Sequence, residues 1–187
     1  METGRLRLRT WTPELGSLLD KHCNTAAVMA HLGGPTDRAT HLELVDWLIH
    51  QQAKHGTTFW AMERKRDGEF LGFCGLVIVD EDDSTVLGAT EIGWRLRADE
   101  QGKSYAKEAA IACLYHAFEV QHVQRVVSRT VLANAPSWGL MRALGMRPDP
   151  RLDYLPKDNP SEALIVHVAT HKDWRRIRNQ HPDPRTG

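Results

Sequence analysis

Leu6 and Leu8 alternate with Arg5, Arg7 and Arg9, the two-residue period of a half-buried strand. Thr12-Pro13-Glu14 then reads as a helix start, with a hydroxyl cap followed by proline at the first helical position. Leu15, Leu18 and Leu19 give that helix an apolar side, and it is expected to end near Asn24. A second helix is predicted after Thr36 or Asp37, carried by Leu42, Val45, Leu48 and Ile49 and closed at His55-Gly56. Two strands, 57–64 and 70–79, flank an Asp-Gly turn at 65–69. The acidic run 80–83 reads as a solvated turn, and 87–97 as another strand.

The strongest helical pattern covers 104–121, where Ala106, Ala109, Ala110, Cys113, Leu114, Ala117 and Phe118 form a stripe suited to close packing on a sheet. A strand at 124–132, a short helix ending at Gly145, and extended segments near Met146 and at 164–169 complete the order. This sequence of elements predicts a mixed α/β sheet with helices on both faces. A short terminal helix is expected from His171, and one domain over 1–175 is followed by a charged, proline-containing tail at 176–187 expected to be disordered.

Composition narrows the function. Lysine plus arginine equal aspartate plus glutamate at 24 each, so the basic excess of a nucleic-acid binder is missing. No apolar run approaches the ~20 residues that span a bilayer, and the first ten residues lack a signal-peptide core. Three separated cysteines suggest neither a disulfide framework nor a zinc site, and ten scattered histidines show no metal-ligand spacing. The expectation is a cytoplasmic protein without a membrane partner, a nucleic-acid partner or a metal.

Candidate chemistry concentrates at Arg97–Ala106, which joins a strand directly to the longest helix. Small residues at a helix N-terminus let several backbone N–H groups converge on one anion, and the helix dipole adds to them. Gly102-Lys103-Ser104 ends like the nucleotide-binding pattern GxxxxGKS, but that pattern needs glycine where this chain has Arg97.

Gln101, Tyr105 and Ala106 fit the pattern Q/R-x-x-G-x-G/A, with Ser104 at its central glycine. Together with Glu91–Leu96, Asn134-Ala135-Pro136-Ser137 and Leu144-Gly145-Met146, they give the chain a resemblance to the GNAT N-acetyltransferase superfamily. Within it, the ribosomal-protein N-terminal (alanine) acetyltransferase branch is the more similar. The resemblance implies a mostly antiparallel sheet of about seven strands, splayed between the fourth and fifth, with acetyl-CoA as co-substrate. By position, Trp94, Arg95, Leu96 and Arg97 would line the pantetheine arm. Backbone amides of Gln101, Gly102, Lys103, Ser104, Tyr105 and Ala106 would hold the pyrophosphate, and Asn134 and Ser137 would contact the arm.

Glu91 is the candidate base, through water, against the alternative that it pairs with an arginine. Ser137 is the candidate acid near the sulfur, or simply a first-turn residue of its helix. Where many relatives carry an acidic tyrosine, this chain has Met141. Trp47 and Trp60 are candidates for the acceptor pocket. The acceptor would be a primary amine, on a peptide N-terminus or a small molecule, attacked in a ternary complex. The alternative is a catalytically weak acetyl-CoA-binding sensor or scaffold. A homodimer is compatible with the resemblance.

Overall fold

The computed structural model describes residues 1–157 and 162–185. Strand β1 (Leu6–Arg9) leads into helix α1 (Pro13–Cys23), where the Thr12 side chain accepts a hydrogen bond from the Leu15 N–H as the pattern predicts. A short helix α2 (Ala26–Met29), which the periodicity did not reveal, precedes α3 (Arg38–His55), capped by Asp37 and Gly56. Strands β2 (Phe59–Arg64), β3 (Phe70–Ile78) and β4 (Thr90–Leu96) form the central meander. Helix α4 (Tyr105–Tyr115) crosses to β5 (Arg125–Val131), and α5 (Ala135–Ala143), β6 (Arg147–Pro148), β7 (Leu164–Thr170) and α6 (His171–Gln180) follow.

The predicted long helix from 104 is α-helical only to Tyr115 and widens into a π turn at His116–Val120. Seven strands form one sheet in the order β1-β2-β3-β4-β5-β7-β6. Every neighbouring pair is antiparallel except β4 and β5. That pair needs a crossover to bring the chain back in the same direction, and α4 supplies it.

Side-chain alternation divides the core between two faces. Met62, Cys74, Ile92 and Leu96 pack toward α4, together with Leu114, Phe118, Met141 and Trp174. Ala61 and Phe73 pack toward α1 and α3, with Trp11, Leu19, Val45 and Leu48. Trp60 is core: its ring meets His116 edge-on and its N–H donates to Gln52 Oε1. Its ring therefore packs within the core on the α4 side of the sheet. Trp47 lies edge-on to Phe59 and donates to Asp80 Oδ2.

The short terminal helix expected from His171 forms as α6, but the stretch beyond 176 is packed instead of loose. The Thr170 hydroxyl and Asp173 carboxylate form a reciprocal capping box, and Trp174 and Ile177 bury one face of α6. Beyond it, Tyr115 Oη donates to the His181 carbonyl, the Gly4 N–H donates to the Pro184 carbonyl, and Arg185 stacks over Tyr115. Residues 186–187 lie outside the described residues. Charge and proline content obscured this packing because the apolar stripe of α6 is only a few residues wide.

Trp174 stacks on Phe118 at 5.2 Å and is 1% exposed. Trp174→Ala is expected to cost about 3–5 kcal/mol of unfolding free energy, measured by urea denaturation.

Candidate active site

Strands β4 and β5 pair at only two positions, Thr90 with Val126 and Glu91 with Val127. Both strands continue. β4 runs to Leu96 with its other edge held by β3, and β5 runs to Val131 with its other edge held by β7. From Ile92 and Ser128 onward their inner edges face each other without pairing, so the sheet opens as a V. Backbone N–H and C=O groups removed from water need partners. An extended ligand carrying amides fits between two such edges as an added strand.

The V closes at an ion-pair cluster. Arg129 Nη2 lies 2.6 Å from Glu91 Oε2, and Arg129 Nε donates to Glu91 Oε1 at 3.1 Å. The same guanidinium donates to both Glu81 oxygens and to Tyr154 Oη. Burial pushes the Glu91 carboxyl above its ordinary value, and Arg129 opposes that rise. Burial alone would lower the Arg129 pKa, but hydrogen bonds and attraction from Glu91 and Glu81 carry it above its ordinary value. Of the two expectations for Glu91, the structure shows the pairing with an arginine, and it places that pair at the vertex.

Beyond β4, Ala98–Glu100 makes one turn of 3₁₀ helix before the loop to α4. Gly102 has φ 74° and Ser104 has φ 64° with ψ 13°, both left-handed. This explains the glycine that the pattern places at position 104. The chain must turn left-handed there to aim the first N–H groups of α4 toward one point, and a Cβ opposes that conformation. Ser104 accepts the strain. The acids preceding the loop are neutralised by basic partners: Asp99 pairs with Arg97, and Glu100 with Arg64 and with Lys103 of the loop itself. Burial would raise the Glu100 pKa, but hydrogen bonds from Lys103 and Arg64 overcome it and hold the carboxyl below its usual value.

Tyr105 is buried with Arg5 stacked 4.5 Å above its ring, so its side chain braces the loop. Gln101 Nε2 donates to the Leu96 carbonyl and ties the loop to the end of β4. A cleft of about 390 Å³ opens beside the first turn of α4, lined by Arg5, Ser104, Lys107 and the segment 181–184. The sequence reading had no signal for Arg5 or that segment, because they reach the loop from the two ends of the chain.

Trp94 and Leu96 pack toward α4, whereas Arg95 faces the opposite side and stacks over Phe73. Asn134 caps α5: its Oδ1 accepts the Ser137 N–H and its Nδ2 donates to Thr130 Oγ1. Ser137 occupies the first turn of α5, half-buried. Met141 is fully buried in the core. No group of three or more His, Cys, Asp or Glu able to hold a metal occurs among the described residues. None of their helices is long and apolar enough to cross a membrane.

A sheet that splays beside a helix start with converging N–H groups is the geometry expected of an acyl-CoA-dependent transferase. The chain matches the family described as "Acetyltransferase (GNAT) domain" over residues 5–147, and it belongs to that family. The protein is therefore an acetyl-CoA-dependent acetyltransferase. It is 32% identical to YkkB of Bacillus subtilis (strain 168) over 145 residues, 77% of this chain and 83% of that one. Its fold is similar to the crystal structure of an acetyltransferase from Agrobacterium tumefaciens str. C58. There the TM-score is 0.76 and the identity 22%, covering 90% of this chain and 92% of that one. It is also similar to the spermidine N-acetyltransferase from Vibrio cholerae, solved with CoA and spermine. That match has TM-score 0.70 and 14% identity, covering 91% of this chain and 98% of the other.

Ser104→Gly should relieve the left-handed strain and raise stability by about 0.5–1 kcal/mol, the excess over the added unfolded-state entropy, read from urea midpoints. Arg129→Met leaves the buried Glu91 carboxylate unpaired and should cost about 3–5 kcal/mol at neutral pH. The folded-state pKa of Glu91 is then raised further above its unfolded value, so the native state binds the extra proton as pH falls. The deficit should accordingly shrink between pH 7.5 and pH 5, which unfolding at the two values measures.

Proposed function

We propose that the protein transfers the acetyl group of acetyl-CoA to a primary amine by direct attack in a ternary complex. The parting of β4 and β5 immediately before the α4 loop carries this reading. Facing strand edges suit the amides of the pantetheine arm, contributed on the β4 side by the backbone of Trp94–Arg97. The N–H groups of Gln101–Ala106 suit the pyrophosphate. Asn134 holds the entrance of α5 in place, and its capping bonds make it a positioning residue for Ser137. The Ser137 hydroxyl is the group offered to the departing thiolate.

Glu91 is assigned as the base that accepts the ammonium proton through water. Burial favours this role by raising proton affinity, and the Arg129 contact keeps the carboxylate oriented toward the vertex. The demand on a base depends on the acceptor. An alkyl amine with pKa ~10.4 costs about 4–5 kcal/mol to deprotonate at pH 7, against ~1–1.5 kcal/mol for a peptide α-amine near 8. A peptide N-terminus, as in the ribosomal-protein branch, therefore needs less of Glu91 than a small-molecule alkyl amine does. The domain that carries the site extends past residue 175 to include all of α6 and the packed segment after it, and a homodimer is compatible with the site as described.

Calorimetric titration with acetyl-CoA should show saturable binding that Ser104→Tyr weakens at least tenfold while its circular dichroism stays native. Absence of binding by folded wild-type protein would overturn the assignment. With an acceptor in hand, Glu91→Gln should abolish the acidic limb of the kcat/KM profile. A merely structural Glu91 would lose stability and keep the profile.

A further inference from the structure

Arg95 stands out among the arginines of the sheet. Its Nε is completely buried without a hydrogen-bond partner, and none of its nitrogens pairs with a carboxylate among the described residues. Its neighbours make this unusual. Arg97 pairs with Glu69 and Asp99, Arg64 with Asp67 and Glu100, and Arg129 with Glu81 and Glu91. Arg95 instead stacks over Phe73, with its guanidinium carbon 5.2 Å from the ring centroid, near the buried Cys23 thiol at the end of α1. A guanidinium whose Nε is buried is costly to leave unpaired, and its planar edge of Nε and Nη matches a carboxylate in two parallel hydrogen bonds.

Its location connects this feature to the reaction. Strand alternation puts Glu91, Gly93 and Arg95 on the face of β4 that looks toward α1 and α3. Arg95 lies in the stretch that β5 has already left. Between the two charged residues the side-chain row is interrupted at Gly93, where a Cβ would come within 2.8 Å of the Phe59 ring. The acids of the turn after β3 are committed elsewhere. Asp80 accepts from Trp47 and Gln51, Glu81 pairs with Arg129, and Asp83 accepts the Lys157 N–H.

We propose that Arg95 binds an anionic group of the acceptor, so that the preferred acceptor is an amine that also carries a carboxylate, such as an amino acid or short peptide with a free C-terminus. This rests on the acetyltransferase reading of the same opening and adds the substrate class. It also sets the protein against polycationic acceptors, because a fixed unpaired cation beside the opening repels a second cation.

The test compares matched acceptors, amino acids and dipeptides as free acids and as their C-terminal amides, with wild type, Arg95→Met and Arg95→Lys. Methionine keeps an apolar stem over Phe73, and lysine restores charge without the bidentate edge. Wild type should favour free acids over amides by at least tenfold in kcat/KM. Arg95→Met should lower kcat/KM for the free acids at least tenfold more than for the matched amides, and Arg95→Lys should recover part of that difference. An equal fall for acids and amides, no preference in the wild type, or turnover of none of the free acids by protein that binds acetyl-CoA would each overturn the proposal. A loss of acetyl-CoA affinity confined to the variants would overturn it too, by assigning Arg95 to the co-substrate. Failure of wild type to bind acetyl-CoA would instead remove the reading beneath it.

Discussion

Parallel strands β4 and β5 exchange hydrogen bonds at two residue pairs and then separate, and the organisation of the molecule follows from that short ladder. Strands that run on without pairing must find other partners for their backbone groups, and each keeps one neighbour on its far side. The inner edges are left for a ligand. The Glu91–Arg129 pair sits where the ladder ends and ties the two strands together side chain to side chain. It fixes the vertex just where hydrogen bonds between the backbones stop.

Charge is arranged around the opening by neutralisation rather than by excess. The loop into α4 is preceded by Asp99 and Glu100, which would repel a phosphorylated ligand if they faced it. Both are drawn onto arginine or lysine, and Glu100 is buried in the process. The helix start therefore keeps its positive end without needing a basic protein. A chain with equal numbers of acidic and basic residues thereby keeps one locally positive helix start.

Much of this was legible in the sequence, and the remainder has physical reasons. Asp37 and Gly56 bracket α3, and the Asp-Gly turn joins β2 to β3, because these signals act over a few neighbouring residues. The loop at 101–106 was recognisable from its small residues and its place before a helix. The left-handed backbone at Ser104 could be anticipated only through the family pattern, since serine itself carries no such preference. The partner of Glu91 was not legible: Arg129 is 38 residues away, and only the sheet register brings the two together. The same holds for Arg95, whose distinction is a missing partner, which no local pattern encodes. The packed C-terminal segment was hidden because its contacts are made to Gly4 and Tyr115, far upstream.

In mechanical terms the sheet is two stiff ribbons, β1 to β4 and β5 to β7 with β6, sewn along a two-rung seam. A ribbon of fully paired strands resists bending within itself, so a small change in the twist of either one is taken up at the seam. The gap between the strands then behaves as an aperture whose width is set by packing on the outer faces, including Trp174 and Phe118 behind the sheet. Core residues far from the reacting groups thereby acquire leverage over how tightly a thin, extended molecule is gripped.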